Sequence, residues 1–319
     1  MPYKKKLFLL GSTAALLALV YALSLILDPA RANARNERFT WLPAGFRDKT
    51  DRIEIFSNGE KIELVLKNGS WFALAESVEV PAKQGRIDDL FRLLGSRGAF
   101  PRRGSNAKSH AELGLDGSSR LVIRGGSGLP LLDLVVGKDD PSGKEVFLRK
   151  NGENEFRSGD KLIGTYINGE NTAWFDMKLF EETSVAQVQR MLVHFFDYYG
   201  IGEELSEVPY GDYSIVRNGE SWFMDGVELD KDKTENWINA VLEAQGENVL
   251  PVNDELRSGF NNSAEIRIEL GDGSALDLQI EKAGEDGRSG ALAGGKPYIT
   301  VLSQWTVIRL LRNREFFRK

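Results

Sequence analysis

The chain has 319 residues, 41% of them hydrophobic and 28% charged, enough for two compact domains with no room for a large disordered tract. Its formal net charge of -6 argues against a nucleic-acid binder, which would show a basic face. With no cysteine and only two histidines, His110 and His194, disulfides, thiolate chemistry, lipoprotein acylation and histidine-rich metal sites are excluded.

Lys4, Lys5 and Lys6 precede an uncharged run over residues 7–27, which Asp28 and Pro29 end. At about 1.5 Å per residue the run reaches roughly 30 Å, enough to cross a bilayer. It is longer than the apolar region of a cleaved signal peptide, so a retained anchor is expected, with cleavage after Ala32 in Ala30-Arg31-Ala32 as the alternative. Three lysines on the short side favour a cytoplasmic N-terminus. The expected location is the inner membrane, single-pass, with everything after Asp28 extracytoplasmic. Residues 30–38 form a tether.

Folded structure should begin near Phe39 and Trp41. A strand is predicted over 51–56, then a turn at Asn58-Gly59. Residues 62–66 and 71–74 flank Asn68-Gly69 as a hairpin ending in Trp71-Phe72. Pro81 suits the first turn of a helix, whose apolar stripe is Ile87, Leu90, Phe91 and Leu94, stopped by Gly95 or Gly98. Strands are read over 120–124, 131–136 and 145–148, with Phe156 ending another. A short helix over 160–167 is expected with Ser158 as its cap.

The plan then repeats. A strand is expected over 188–195. The hairpin of 212–216 with 221–224 turns at Asn218-Gly219, inside Arg217-Asn218-Gly219-Glu220-Ser221-Trp222-Phe223. Asp232 and Glu235 read as a capping box before a helix carrying Trp237, Ile238, Val241 and Leu242. Residues 264–270 and 275–280 pair across Asp272-Gly273, 284–295 is a loose glycine-rich loop, 298–301 is a strand, and Ser303 caps a last helix. Strand, hairpin, helix, hairpin, strand and helix thus occur twice. The predicted fold class is α+β: one N-terminal transmembrane helix, then two tandem repeats of mainly antiparallel sheet with covering helices. Anchor and tether occupy 1–36, and the repeats 37–182 and 183–319.

Trp71, Pro81-Ala82, Leu113-Gly114-Leu115-Asp116, Val136-Gly137 and Trp174-Phe175-Asp176 together resemble the bacterial family called domain of unknown function 4340, from about Phe39 onward. The resemblance implies a membrane-anchored, extracytoplasmic protein, often encoded beside gliding-motility-type ABC transporter components, and it brings no catalytic residues. In the second copy Glu255-Leu256-Arg257-Ser258-Gly259-Phe260 replaces the Leu-Gly-Leu-Asp piece.

Four stretches invite a chemical reading. Asp225, Glu228, Asp230 and Asp232 could converge on a cation, but loop carboxylates and helix caps account for the same residues. Asp139-Asp140-Pro141-Ser142-Gly143-Lys144 lacks the spacing of a P-loop or an EF-hand and reads as an exposed hairpin turn. His194 would need a nucleophile and an orienting carboxylate, and no Gly-x-Ser-x-Gly elbow supplies one. It reads as a residue on the less buried side of a strand, and His110 as a loop residue without a visible partner. Phe195, Phe196, Tyr198 and Tyr199 could stack on sugar rings but read better as a seam between the repeats. No catalytic, cofactor-binding or metal-binding residue is assigned, and no cofactor is expected. The expectation is an accessory or binding protein without intrinsic catalysis, possible partner an ABC transporter. A glycan- or peptide-binding envelope module is the alternative, and an unrecognised hydrolase the third.

Overall fold

The computed structural model describes Thr13 and residues 15–21, 39–75, 78–126, 128–195, 212–252 and 259–319. The first sheet holds β1 (Thr50–Ser57), β2 (Glu60–Lys67), β3 (Ser70–Ala75), β4 (Val78–Pro81), β5 (Arg102–Gly104), β6 (Arg120–Gly125), β7 (Pro130–Asp139), β8 (Glu145–Lys150) and β9 (Phe156–Asp160). The second holds β10 (Val188–Phe195), β11 (Tyr213–Asn218), β12 (Ser221–Met224), β13 (Val227–Glu228), β14 (Asn248–Pro251), β15 (Asn262–Leu270), β16 (Ala275–Glu281), β17 (Ser289–Ala293) and β18 (Tyr298–Leu302). Both are antiparallel and nine-stranded. Their orders are β4-β3-β2-β1-β6-β7-β8-β9-β5 and β13-β12-β11-β10-β15-β16-β17-β18-β14, the same pattern twice. The α+β repeat read from the sequence is therefore present. By compactness the chain divides into Met1–Glu63 with Gln84–Gly169, and Leu64–Lys83 with Glu170–Lys319.

Helix α1 (Gln84–Gly95) buries Ile87, Leu90, Phe91, Leu93 and Leu94, the expected stripe with one addition, and each such side chain contributes roughly 1.5–3 kcal/mol. Helix α2 (Lys161–Asn168) buries Ile163 and Ile167 and lies on β1, β7, β8 and β9. In the second unit α3 (Lys231–Leu242) and α4 (Gln304–Leu310) share one core with the inner face of the sheet. Trp237 Nε1 donates to the Leu310 carbonyl at 3.0 Å, and the Tyr213 hydroxyl to that of Arg312 at 2.8 Å. Deep burial raises the Tyr213 pKa.

Several expectations need correction. Pro81 ends edge strand β4, opposite Phe72, and α1 starts three residues later; a residue without an N–H fits the end of an edge strand. Phe156 begins β9 rather than ending a strand, and Ser158 is buried within it. The cap of α2 is Asp160, which accepts from the Leu162 amide at 2.8 Å. The cap of α3 is Asp230, accepting from the Lys233 amide at 2.9 Å. Glu235 instead accepts from Trp222 Nε1, so the Asp232–Glu235 box does not form. Asn68 and Gly69 (φ 51° and 83°) make the expected turn, but in the second copy Asn218 pairs with Ser221 and the turn is Gly219-Glu220. A glycine of φ 63° followed by a residue of negative φ fits a type II′ turn, whereas Asn68-Gly69 fits type I′. The glycine-rich loop contains β17, hydrogen-bonded on both sides, where a side chain at Gly290 would strike Glu281 Oε2 at 2.4 Å.

Most of the expected membrane run lies outside the described residues, as do Ala30, Arg31 and Ala32. Thr13 and residues 15–21 are helical, with Leu16, Leu17, Leu19, Val20 and Tyr21 exposed. Among the described residues no helix is long and apolar enough to cross a membrane.

The outer face of the first sheet carries a cross-strand ion network. Lys61 Nζ donates to Glu54 at 2.8 Å and to Glu63 at 2.9 Å, Arg124 Nε donates to Glu54 at 2.8 Å, and Arg120 Nε to Asp133 at 2.6 Å. Burial would raise the Glu54 pKa, but hydrogen bonds and charges from Lys61 and Arg124 outweigh it and hold it below the ordinary value. Asp133 is likewise depressed, burial being outweighed by Arg120 and Asn151. A depressed carboxylate stabilises the fold above its unfolded pKa and loses that stabilisation as pH falls through its folded pKa. The melting-temperature gap between wild type and Glu54→Gln should therefore hold from neutral pH down to about 4.5 and close below it. A gap that stays constant down to about pH 3 would refute this.

Candidate functional site

The outer face of the second sheet brings three polar side chains and a leucine onto one rung across four strands. In register, His194 on β10 stands opposite Glu265 on β15, Glu265 opposite Gln279 on β16, and Gln279 opposite Leu292 on β17. Alternation puts them outward because Val193, Phe195, Ile266, Leu278 and Ile280 occupy the buried face. Gln279 Nε2 donates to Glu265 Oε1 at 3.0 Å, and Asn262 Nδ2 donates to the same oxygen. At one end Asp212 pairs closely with His194 Nδ1; at the other lies a cleft of about 450 Å³. Phe260, Asn262, Asp277, Gln279, Leu292 and Lys296 line it.

Lys296 is the perturbed group here. Burial lowers its pKa below that of an ordinary lysine, against the raising pull of Asp176 and Glu181, and its ammonium donates to the Lys178 carbonyl. Neighbouring Tyr298 is pushed up to about 12, by burial first and then by Asp176. The cleft thus offers amides, a carboxylate, a partly desolvated cation and an aromatic ring. That set suits recognition of a polar ligand through hydrogen bonds.

His194 gains the orienting carboxylate that base chemistry requires, yet the side chains are 42% and 64% exposed. Ser214, opposite Leu192 one rung away, accepts from Arg190 Nε at 2.8 Å. His110 does have a partner, donating through Nε2 to the Asn154 carbonyl at 3.0 Å, with its ring edge-on to Phe156. Two Ser-x-x-Lys spacings also occur, at Ser105 with Lys108 and Ser158 with Lys161. Ser158 is buried and accepts from Arg103 Nε at 2.7 Å, a structural use.

The acidic cluster does not act as one. Asp225 turns a hairpin with Gly226 and pairs with Arg314. Glu228 accepts from Ser221 Oγ at 3.0 Å and pairs with Lys319 at 3.2 Å. Asp230 caps α3, and Asp232 lies in its first turn. Among the described residues no group of three or more His, Asp or Glu is placed to hold a metal ion. Asp140 holds its own turn: its carboxylate accepts from the Glu145 amide, the Ser142 hydroxyl and the Ser142 and Lys144 amides, and these bonds bring its pKa to about 2. Phe195 is buried against Tyr213 in the second unit's core. Phe196, Tyr198 and Tyr199 lie outside the described residues.

The pieces of the family resemblance fall into two contact sets. Ala82 N donates to the Trp71 carbonyl at 2.9 Å, Lys83 N to that of Trp174 at 2.8 Å, and Asp176 N to that of Pro81 at 2.7 Å. The connector, the segment between α2 and β10 that carries Trp174 and Asp176, makes further bonds: Leu179 N donates to the Ala244 carbonyl and Gly246 N to that of Met177. In the second set Lys138 N donates to the Leu113 carbonyl at 2.9 Å, beside Gly137 and Gly114. The family described as Domain of unknown function (DUF4340) matches residues 71–262, more than half of the chain. The chain belongs to this family. No curated protein and no solved structure matches it. The DUF4340 match is narrower than the likeness read from Phe39 onward: it starts in β3 and ends at the first residue of β15, so it includes the connector.

Proposed function

We propose that this DUF4340 protein is a membrane-anchored, extracytoplasmic accessory or binding protein without intrinsic catalysis, serving as an auxiliary subunit of a membrane complex. The observation that carries the reading is the uncharged run of residues 7–27 behind Lys4, Lys5 and Lys6. The family resemblance points to a gliding-motility-type ABC transporter as the complex. Two large sheets with polar outer faces supply docking area, and the carboxylates singled out above serve turns, caps and ion pairs. Purification of the full chain in mild detergent should bring down a membrane partner, and a periplasm-dependent reporter fused after Lys319 should be active. Recovery of the protein alone under several detergents would sink the accessory role, and an inactive reporter the orientation.

A second reading, a module binding envelope glycan or peptide, draws on the cleft beside Gln279 and Lys296. Partner-free protein whose melting temperature rises with such fragments would favour it over the first.

A further inference from the structure

The two sheets differ at one matched position. Leu134 pairs with Lys150 in the first sheet and Leu278 with Ala293 in the second, and in both the next residue bonds back to the aspartate before that leucine. In the first, the Asn151 amide donates to the Asp133 carbonyl at 2.9 Å and its Nδ2 to Asp133 Oδ2 at 3.1 Å, so the side chain covers the carboxylate. In the second, the Gly294 amide donates to the Asp277 carbonyl at 2.8 Å, but glycine brings no side chain to lay over Asp277. Both aspartates take an arginine from the neighbouring strand, Arg120 and Arg267. Gly294 and Asp277 both line the cleft of about 450 Å³ beside Gln279 and Lys296, in the place that Asn151 fills in the first copy.

The walls of the cleft narrow the class of ligand. Phe260 and Leu292 make an apolar side, and the Asn262 amide donates to the Phe260 carbonyl at 3.2 Å, tying that segment to the start of β15. Gln279 turns its Nε2 to Glu265, which leaves its Oε1 to accept. Arg267 Nη1 lies 3.0 and 3.2 Å from the two Asp277 oxygens, and Lys296 is under the pull of Asp176 and Glu181. The charges at the cleft are thus answered within the chain, and a ligand needs no net charge of its own. A peptide could not add here as a strand, because β15, β16 and β17 are each hydrogen-bonded on both sides. The space lies within the range of small-molecule sites, ~300–1,000 Å³.

We propose that the cleft binds a pyranose ring of a neutral oligosaccharide, its apolar face on Phe260 and Leu292 and its hydroxyls on Asp277, Gln279 and Lys296. This rests on the second reading above, a module binding envelope glycan or peptide, and selects the glycan. Such a ring matches because its C–H face packs on an aromatic wall while its hydroxyls both donate and accept around the edge. The half-exposed Asp277 carboxylate keeps lone pairs beyond those that Arg267 takes. The Lys296 ammonium likewise keeps protons beyond the one it gives to the Lys178 carbonyl.

The full chain, in lipid nanodiscs and free of sugar-headed detergent, would be titrated calorimetrically with maltotetraose, cellotetraose and chitotetraose. Tetragalacturonate serves as the acidic probe and tetra-alanine as the peptide. At least one neutral probe should bind, and Phe260→Ala should weaken it about tenfold. Gly294→Asn should abolish binding, since its amide would cover Asp277 as Asn151 covers Asp133. The added carbon at 294 meets nothing nearer than the Asp277 carbonyl at 3.6 Å, so the melting temperature should stay that of wild type. Unchanged affinity in a normally melting Gly294→Asn overturns the cleft, and if that variant does not fold, unchanged affinity in Phe260→Ala does so. Binding of tetragalacturonate or tetra-alanine without any neutral probe overturns the sugar and leaves a binding module standing. Silence from all five probes removes the proposal together with the second reading, and leaves the accessory role untouched.

Discussion

Replacing Trp222 with alanine should lower stability by about 3–5 kcal/mol, the range for removing a large aromatic side chain from a packed core. Trp222 is 0% exposed, on β12 beneath α3, in the core that also holds Trp237, Tyr213 and Phe317. Its indole N–H donates to Glu235 Oε1 at 3.3 Å, and the Arg217 guanidinium sits over the ring 5.4 Å from its centroid. Its carbonyl accepts from Leu229 N at 2.8 Å just before α3 begins, so the strand aims the helix as well as filling the space below it. Denaturant unfolding checks this: the midpoint should fall sharply for Trp222→Ala and much less for Trp222→Phe. An unchanged midpoint would mean that the indole does not belong to the core.

Gly137→Ala should cost about 3 kcal/mol through overpacking. The added carbon would stand 2.4 Å from the Leu113 carbonyl oxygen and within 3.2 Å of two Leu115 side-chain atoms. The nearest obstacle is backbone, so no rotamer change can relieve it, and the 113–116 segment must lift away. Gly85→Ala is the internal control. It lies in α1 with nothing within 4 Å of the added carbon, and replacing a helical glycine by alanine stabilises by about 1 kcal/mol. The two substitutions should thus move the thermal transition in opposite directions, and a common direction would refute the packing assigned to Gly137.

The contrast between these glycines shows which parts of the chain were legible. Periodicity revealed α1, because Ile87, Leu90, Phe91 and Leu94 lie one helical turn apart, and alternation revealed β1, β6, β10 and β15. The outermost strands β4, β5, β13 and β14 went unread. They are two to four residues long, too short for a period of two to declare itself, and their pairing is set by neighbours distant in sequence. β17 was hidden for another reason. Ser289-Gly290-Ala291-Leu292-Ala293 has poor strand propensity, and its position between β16 and β18 decides its conformation. The caps of α2 and α3 were each missed by two residues, since several Asp and Ser residues before them could serve and only the chain path selects one, whereas Ser303 caps α4 as expected. The rung of His194, Glu265, Gln279 and Leu292 could not be seen at all, because strand register is not written locally. The acidic residues 225–232 are close in sequence, and the reading of them as loop carboxylates and helix caps holds, because the hairpin and helix send them to separate partners.

The strand order has a consequence for how such a chain avoids folding wrongly. The first strand of each repeat, β1 or β10, lies in the middle of its sheet, between a local meander on one side and β6 or β15 on the other. As the polypeptide is made, β1 must wait with one edge bare until β6 appears, and β10 must wait for β15. The two joints have the same irregularity, a register shift at Thr50/Arg52 and at Val188/Arg190, so backbone geometry does not tell right partner from wrong. Side chains do. If β1 took β15, then β10 would be left with β6, setting His194 against Arg120 and Leu192 against Val122 in place of the Glu265 and Arg267 they meet in the native sheet. The outward residues of the two copies have diverged, so exchange would change every outward rung: β10 on β6 would lose His194–Glu265 and set Arg190 against Arg124, while β1 on β15 would set Arg52 against Glu269 and Glu54 against Arg267.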